Sequence, residues 1–104
     1  MISFILPIRN EKSFINKTLQ SIFSQTIDED FEIIVADGNS SDGTREILKN
    51  LQINNPNIIL IDNPEKIVST GFNRALNESK GDIIIRVDGH CEIAPDYIQK
   101  CLEC

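Results

Sequence analysis

The sequence predicts a single α/β domain, residues 1–104, built as βαβαβαβα around a parallel sheet. Two observations favour this fold: four short apolar runs end at turn residues, and a stretch with helical apolar spacing follows each of them. Runs that are apolar at most consecutive positions are typical of parallel strands covered on both faces. Their alternation with helices indicates a doubly wound layer structure with helices on both faces of the sheet.

The predicted strands are rich in isoleucine and cover residues 2–6, 31–36, 58–61 and 83–87. The residues that close them are Pro7, Asp37 with Gly38, Asp62 with Asn63 and Pro64, and Asp88 with Gly89. Four strands are few for a sheet of this kind, so we expect at least one uncovered edge. We therefore expect the chain to be the first part of a longer, truncated domain, or to pair with a partner.

The helices are predicted from apolar residues at three- and four-residue steps between the strands. The first stripe is Phe14, Ile15, Leu19, Ile22 and Phe23. The second helix carries Ile47, Leu48 and Leu51, and its N-cap candidates are Ser40, Ser41 and Asp42. The third stripe is Val68, Phe72, Ala75 and Leu76. Lys80 with Gly81 is predicted to end the third helix as a C-cap, and a fourth helix is predicted to begin near Pro95.

The charge balance narrows the classes of partner. Lys and Arg total 10 against 16 Asp and Glu, which gives a formal net charge of −6. Binding to a nucleic-acid backbone needs clustered cations, so we expect no nucleic-acid partner. A phosphorylated ligand would need a divalent cation to offset its charge. No apolar run approaches the roughly 20 residues of a membrane span, and the first residues lack the pattern of a signal peptide.

The three cysteines, Cys91, Cys101 and Cys104, do not form an even disulfide framework. This usage indicates a reduced, cytoplasmic chain. Cys101 and Cys104 have CxxC spacing, which leaves a metal or redox role open. The alternative is two small apolar residues on a terminal helix, because only Cys91 and His90 could complete a metal site and the pair stands at the final residues.

Polar residues gather where three of the predicted strands end. They lie at residues 9–11, 37–44 and 88–92. In open parallel sheets ligands bind beyond the carboxyl ends of the strands, so these clusters are expected to share one edge and form a site. Taken singly, each cluster could instead be a turn or a helix cap. The sequence has no GxGxxG and no GxxxxGK[ST], which excludes the common dinucleotide and P-loop signatures.

Three motifs carry a resemblance to a known family. They are PIRNE at residues 7–11, EIIVADGNSSDGT at residues 32–44 and KGDIIIRVDGH at residues 80–90. In order and spacing the chain resembles the N-terminal half of family 2 glycosyltransferases, inverting enzymes with the GT-A fold. The D-G-H form at residues 88–90 resembles the subgroup that makes bacterial exopolysaccharides such as succinoglycan. The resemblance covers nearly the whole chain and about half of the family's usual domain.

The resemblance implies a site for a nucleotide-sugar donor, most often UDP-linked. Pro7, Arg9 and Glu11 would line the base and ribose pocket. Asp37 would accept a hydrogen bond from the base, and Asn73 matches a polar residue in the helix before the last strand. A wrong base would leave the buried Asp37 charge unpaired, which is how such a carboxylate selects its ligand.

The same resemblance implies a divalent cation, Mn²⁺ or Mg²⁺, at Asp88 and His90. Asp88 matches the first acid of the family's D-x-D motif, which also reaches the ribose, whereas His90 replaces the second acid. Because imidazole can bind Mn²⁺ whereas Mg²⁺ prefers oxygen, we expect Mn²⁺ to work at least as well as Mg²⁺. Two other departures are Gly38, where many members carry a second acid, and Phe72, where an arginine is common.

The implied reaction is transfer of a sugar to a saccharide or lipid-linked acceptor in polysaccharide biosynthesis. The catalytic general base is expected beyond Cys104, so the chain alone is expected to bind donor weakly and to be inactive. We expect a cytoplasmic location, at the inner face of the membrane in a longer protein. The alternative is a non-catalytic nucleotide-binding or assembly module that forms a homo-oligomer through the exposed sheet edge. A nucleotidyltransferase is disfavoured because no glycine- and lysine-rich loop follows the first strand.

Overall fold

The computed structural model describes residues 1–25 and 30–87. In chain order the elements are β1 (Ile2–Ile8), α1 (Ile15–Phe23), β2 (Phe31–Asp37), α2 (Thr44–Asn54), β3 (Ile58–Asp62), α3 (Val68–Glu78) and β4 (Ile83–Arg86). The four strands and the first three helices confirm the predicted α/β alternation. The carboxyl end of each strand differs from the prediction by one or two residues. The helix predicted near Pro95 lies outside the described residues.

The four strands form one parallel sheet in the order β3-β2-β1-β4. In the register of the ladder, Ile8 at the end of β1 pairs with Asp37 at the end of β2. Asp37 in turn pairs with Asp62 at the end of β3. The carboxyl ends of these three strands therefore lie at one level, which is where the polar clusters are expected to meet.

Burial separates the two central strands from the two outer ones. Every residue of β1 is buried, and in β2 only Phe31 is partly exposed. The outer strands β3 and β4 are only partly buried because each has a single neighbour in the described sheet. The prediction of strands covered on both faces is thus right for β1 and β2 and wrong for β3 and β4.

Helices cover both faces of the sheet, as the α/β pattern predicts. On one face α1 and α2 contribute buried residues such as Leu19 and Leu48, which pack with Phe4 of β1. On the other face Ala75 of α3 packs against Ile5 of β1. Successive residues of a strand point to opposite faces, so Phe4 and Ile5 lie in different clusters. The two hydrophobic clusters therefore bury opposite faces of the central strands β1 and β2.

Three residues of the predicted helical stripes are exposed. Phe23, the last residue of α1, is 37% exposed and contacts the ring of Phe31 at a centroid distance of 5.8 Å. Phe14 is 50% exposed because it precedes the first turn of α1 and so lies outside the helical stripe. Leu76 is 40% exposed because its neighbour Ala75 occupies the buried face of α3. Within the described residues, no helix is long and apolar enough to cross a bilayer.

Gly81 has a different role from the predicted helix C-cap. The residue that caps α3 is Ser79, whose backbone is extended and whose hydroxyl donates to the carbonyl of Leu76 at 2.6 Å. Gly81 instead lies against the start of β1. A side chain there would bring its Cβ to 2.5 Å from Ser3 Oγ and 2.8 Å from the carbonyl oxygen of Met1.

A buried hydrogen-bond network joins the amino ends of three strands. Ser3 donates from its hydroxyl to Glu32 Oε2 at 2.6 Å, and the Lys80 N–H donates to the same oxygen at 2.7 Å. The Gly81 N–H donates to Ser3 Oγ at 2.8 Å. Ser3 has no exposed surface and Glu32 is 6% exposed, so each polar group in this network depends on the others. The turn before β4 is thereby fixed to β1 and β2.

Gly81→Ala should destabilise the fold by about 1–3 kcal/mol, the range typical of overpacking in a buried site. The added methyl group would collide with backbone atoms of β1 and separate the Gly81 N–H from Ser3. Urea unfolding followed by circular dichroism measures this free energy. Lys80→Ala is the matched control, because it keeps the N–H on Glu32 and changes only an exposed side chain. Equal midpoints for the two variants would contradict this packing role.

Candidate functional site

The loops that follow β1 and β2 are joined by hydrogen bonds at the carboxyl edge of the sheet. The Asn10 N–H donates to Ser40 Oγ at 2.9 Å, and the Ser41 N–H donates to Asn10 Oδ1 at 2.8 Å. The Lys12 N–H donates to Asp42 Oδ2 at 3.2 Å. Two of the three predicted polar clusters therefore form one surface. The third cluster, residues 88–92, lies outside the described residues.

Gly38 is held in a tight space behind this surface. A Cβ at this position would come within 3.2 Å of the Ile8 carbonyl oxygen and 3.3 Å of Lys66 Cα. Lys66 has a left-handed backbone with φ of 65°, which folds the segment after β3 inward. A side chain after Asp37 would therefore require the neighbouring backbone to shift by a few tenths of an ångström.

The start of α2 differs in detail from the prediction. The N-cap position is Gly43, with φ of 102°, and none of the predicted candidates Ser40, Ser41 and Asp42 occupies it. Asp42 still serves the first turn, because its Oδ1 accepts the Thr44 N–H at 3.0 Å and the Thr44 hydroxyl at 2.5 Å. These hydrogen bonds, led by the one from the Thr44 hydroxyl, lower the pKa of Asp42.

Asp37 is the central acid of this surface, and its side chain has no exposed area. Its Oδ1 accepts the Ser40 hydroxyl at 2.5 Å, and its Oδ2 accepts the Ser40 N–H at 3.3 Å. Oδ2 also accepts Arg45 Nη1–H at 2.9 Å. A buried carboxylate requires partners of this kind, since an unpaired charge in the interior is very costly.

Arg45 connects Asp37 to the neighbouring strand. It lies in the first turn of α2, and its Nη2 donates to Asp62 Oδ1 at the end of β3. The hydrogen bond to Asp62, followed by the one to Asp37, raises the pKa of Arg45, so the guanidinium stays charged at every working pH. The three side chains form a line of alternating charge across the ends of β2 and β3.

An open cleft of about 440 Å³ lies beside this line of charges. The residues that line it are Asp37, Asn39, Arg45, Asp62, Asn63 and Pro64. Asn63 shapes one side of the cleft, because its amide donates to the Ile67 carbonyl at 2.8 Å and accepts the Thr70 hydroxyl at 3.0 Å. The cleft thus combines a fixed wall with hydrogen-bonding groups of both charges.

The other described residues that were predicted for the site are not among those that line the cleft. Pro7 is buried in β1, where a Cβ on Gly71 of α3 would come within 3.1 Å of its side chain. Arg9 is exposed, Glu11 is half-buried, and Asn73 is exposed on α3. Of the described residues that line the cleft, Asp37 was predicted for the site by name, and Asn39 lies in the polar cluster at residues 37–44 that was expected to form it.

The predicted metal ligands, Asp88 and His90, lie outside the described residues. Within residues 1–25 and 30–87, no group of three or more His, Cys, Asp or Glu side chains is arranged to hold a metal ion. Cys101 and Cys104, the CxxC pair, also lie outside the described residues. A metal or redox role and a purely structural role both stay open for them.

Arg45 and Asp62 are residues of the cleft that the sequence analysis missed. From the sequence, Asp62 is only one of the turn residues that close the third strand, and no role is predicted for Arg45. One signal was present: Asp62 ends a strand next to β2, as Asp37 ends β2 itself. The pairing of Arg45 with both acids depends on the angle at which α2 leaves its loop, and no residue pattern encodes that angle.

A parallel α/β sheet with a polar cleft at its carboxyl edge is the arrangement of nucleotide-binding α/β domains. Residues 3–103 match the family model described as glycosyl transferase family 2, and the chain belongs to this family. The match agrees with the resemblance carried by the three sequence motifs.

Relatives of the chain include two bacterial proteins. The chain is 34% identical to succinoglycan biosynthesis protein ExoA of Rhizobium meliloti, over 95% of this chain and 31% of that protein. It is 37% identical to the uncharacterized glycosyltransferase YfnE of Bacillus subtilis, over 94% of this chain and 25% of that protein. The chain thus spans at most about a third of either relative.

Solved structures confirm the predicted GT-A fold. S. aureus TarS superposes with a TM-score of 0.87 at 24% identity, over 98% of this chain and 31% of that one. Mannosyltransferase PcManGT from Pyrobaculum calidifontis, solved in complex with GDP-Man and Mn²⁺, gives a TM-score of 0.89 at 25% identity. It too is matched over 98% of this chain and 31% of its own.

Asp42→Asn should remove a stabilisation that depends on pH. Because the pKa of Asp42 is lower in the folded state, its ionised form stabilises the fold above the unfolded pKa near 4. That contribution is lost as the pH falls through the folded value. Urea unfolding at pH 7, 5 and 3 should show a wild-type advantage that shrinks toward pH 3. Thr44→Val should reduce the same pH dependence, and parallel curves for wild type and Asp42→Asn would contradict the assignment.

Proposed function

We propose that the chain forms the nucleotide-sugar-binding part of an inverting glycosyltransferase with a UDP-linked donor. The observation that carries this proposal is the cleft beside Asp37 and Arg45, at the carboxyl ends of β2 and β3. Membership of glycosyl transferase family 2 supports sugar transfer as the reaction class. The GDP-Man complex of PcManGT, whose fold this chain shares, supports a nucleotide sugar as the ligand class.

Asp37 is the group to which we assign base recognition. It stands at the edge where parallel sheets bind ligands, and its carboxylate faces a cleft large enough for a nucleoside. A carboxylate can only accept hydrogen bonds, so it favours a base that presents an N–H group. Pro7, Arg9, Glu11 and Asn73 stay assigned to the rest of the donor site on the basis of the family resemblance.

We assign a divalent cation to Asp88 and His90. When bound, the ion would stabilise the negative charge that develops on the leaving diphosphate. The net charge of −6 supports this proposal, because an acidic chain needs a cation to hold a diphosphate. The Mn²⁺ in the PcManGT complex supports the same class of ion.

The transfer reaction requires an acceptor and a general base in addition to the donor site. An acceptor hydroxyl forms a bond to the anomeric carbon, and the bond from that carbon to the diphosphate oxygen breaks. The electron pair leaves with the diphosphate, and the hydroxyl proton passes to a general base. We assign that base to sequence beyond Cys104. A saccharide or lipid-linked acceptor in polysaccharide synthesis is supported by the likeness to ExoA.

UDP binding to the 104-residue chain, measured by titration calorimetry with Mn²⁺, tests this function. UDP should bind in the millimolar range or tighter, and chelator or Asp88→Ala should abolish the binding. Asp37→Asn should weaken it at least tenfold, since the amide replaces one of the two acceptor oxygens that face Ser40 and Arg45. Glu65→Gln is the control, because it alters an exposed carboxylate that pairs with Arg74 and is not among the residues that line the cleft.

The proposal fails if no metal-dependent UDP binding occurs at millimolar nucleotide. It also fails if Asp37→Asn and Glu65→Gln bind UDP equally well while both variants keep the wild-type melting curve.

His90→Asp should shift the metal preference toward Mg²⁺. An added carboxylate supplies the oxygen ligand that Mg²⁺ prefers, whereas the imidazole it replaces is a nitrogen ligand that Mn²⁺ can accept. The ratio of UDP affinities in Mn²⁺ and Mg²⁺, measured on wild type and variant by calorimetry, reports the change. An unchanged ratio would show that His90 does not bind the ion.

A further inference from the structure

The line of charges at the cleft contains a cation that covers the expected base-reading acid. Asp37 has no exposed side-chain area, Arg45 is 30% exposed, and Asp62 is 71% exposed. A ligand entering the cleft therefore meets Arg45 and Asp62 before it reaches Asp37. The family resemblance gives the hydrogen bond to the base to Asp37, and the structure adds Arg45 as a charged group in front of that acid.

Asp37 has little free hydrogen-bonding capacity in this arrangement. Its two oxygens offer about four acceptor positions. Three are taken: two by the hydroxyl and N–H of Ser40 and one by Arg45. The Ser40 donors belong to the loop that directly follows β2 and are close in sequence. Arg45 is the one donor of the three on a long, partly exposed side chain, so it is the donor that a ligand can displace.

Asp62 gives Arg45 a second anchor. Nη1 of Arg45 contacts Asp37 while Nη2 contacts Asp62, so the guanidinium fork bridges the two strands. If Nη1 leaves Asp37, the ion pair with Asp62 remains. The cation therefore does not have to enter water unpaired, and it stays beside the acid that it has uncovered.

Asp37 and Arg45 then present an acceptor and a donor side by side. Asp37 offers carboxylate oxygen, and Arg45 offers guanidinium N–H groups, which only donate. The complementary ligand edge has an N–H next to a carbonyl oxygen. Uracil and guanine carry such an edge. Cytosine and adenine carry the reverse, a ring nitrogen acceptor next to an amino donor, and would place acceptor against acceptor and donor against donor.

We propose that Arg45 is a specificity-determining residue of this cleft. Held by Asp62, it uncovers Asp37 for a base N–H and donates to the neighbouring carbonyl oxygen, which selects uracil or guanine over cytosine or adenine. Asp62 is the positioning residue that keeps the guanidinium in place. This inference rests on the proposed function, because it requires that a nucleotide occupies the cleft.

Arg45 supplies the donor half of this pair. Without it, the Asp37 carboxylate could accept from the amino group of cytosine as well as from the N–H of uracil. Loss of Arg45 should therefore weaken discrimination between bases in addition to weakening UDP binding.

Arg74 provides a matched comparison on the same chain. It also forms a forked pair, with Nε at 3.1 Å and Nη2 at 2.7 Å from the carboxylate of Glu65. Its side chain is 46% exposed and that of Glu65 is 44% exposed. Neither residue of this pair lines the cleft, although Arg74 borders a separate hollow with Asp62. Arg74→Met therefore makes the same change of charge and size without removing a hydrogen bond to the base-reading acid.

Calorimetric titration of the 104-residue chain with UDP, CDP, GDP and ADP in Mn²⁺ tests the inference. Wild type should bind UDP or GDP at least tenfold more tightly than CDP or ADP. In Arg45→Met the preference for UDP over CDP should fall below threefold. Arg74→Met should keep the wild-type preference.

Asp62→Asn keeps the test decisive even if Arg45→Met does not fold, because Asp62 is largely exposed. Without its second anchor Arg45 stays on Asp37, so UDP binding should weaken at least threefold while CDP binding stays unchanged. Glu65→Gln, which alters the corresponding carboxylate of the Arg74 pair, should change neither affinity.

The outcomes separate the two proposals. No UDP binding by wild type would overturn the proposed function and this inference together. UDP binding without preference over CDP would overturn the inference and leave the proposed function standing. A tenfold preference that survives in folded Arg45→Met, or an unchanged UDP affinity in Asp62→Asn, would show that Asp37 reads the base without Arg45.

Discussion

The carboxylate of Asp37 ends the buried strand β2 and has no exposed surface, so protein donors must replace the water it loses. Ser40 supplies two donors from the loop, and Arg45 supplies a third from the first turn of α2. The loop that brings these donors to Asp37 contains two left-handed residues, Asn39 directly before Ser40 and Gly43 directly before α2. The hydrogen bonds of Asp37 thus hold the loop after β2, the start of α2 and one wall of the cleft in place.

Parallel pairing transmits this local arrangement to the neighbouring strands. Ile8, Asp37 and Asp62 stand at one level because the strands are in register. Asp62 can therefore share a guanidinium with Asp37 although the two acids lie far apart in sequence. A slip of one residue in either ladder would turn one of these carboxylates to the other face of the sheet. The same register that builds the core thus aligns the charges at the cleft.

Sequence patterns predicted most of the fold and only part of the candidate site. Continuous apolar runs identified β1 and β2 because strands buried on both faces need apolar side chains throughout. The role of Gly81 could not be predicted in this way. Glycine is required there because β1 lies too close for a side chain, and a contact between residues so distant in sequence produces no periodic pattern. Asp37 was predicted because it ends a strand. Arg45 was missed because its importance comes from two partners in other segments.

The opposite edges of the sheet carry different kinds of polar chemistry. At the amino ends, Ser3 and Glu32 are buried and tie three strands together. At the carboxyl ends, Arg45 and Asp62 are partly open to solvent and contribute little to the core. Such a division lets a lineage exchange residues at the open edge and acquire new ligands by small steps. The anchored edge meanwhile preserves the framework on which each new specificity is tried.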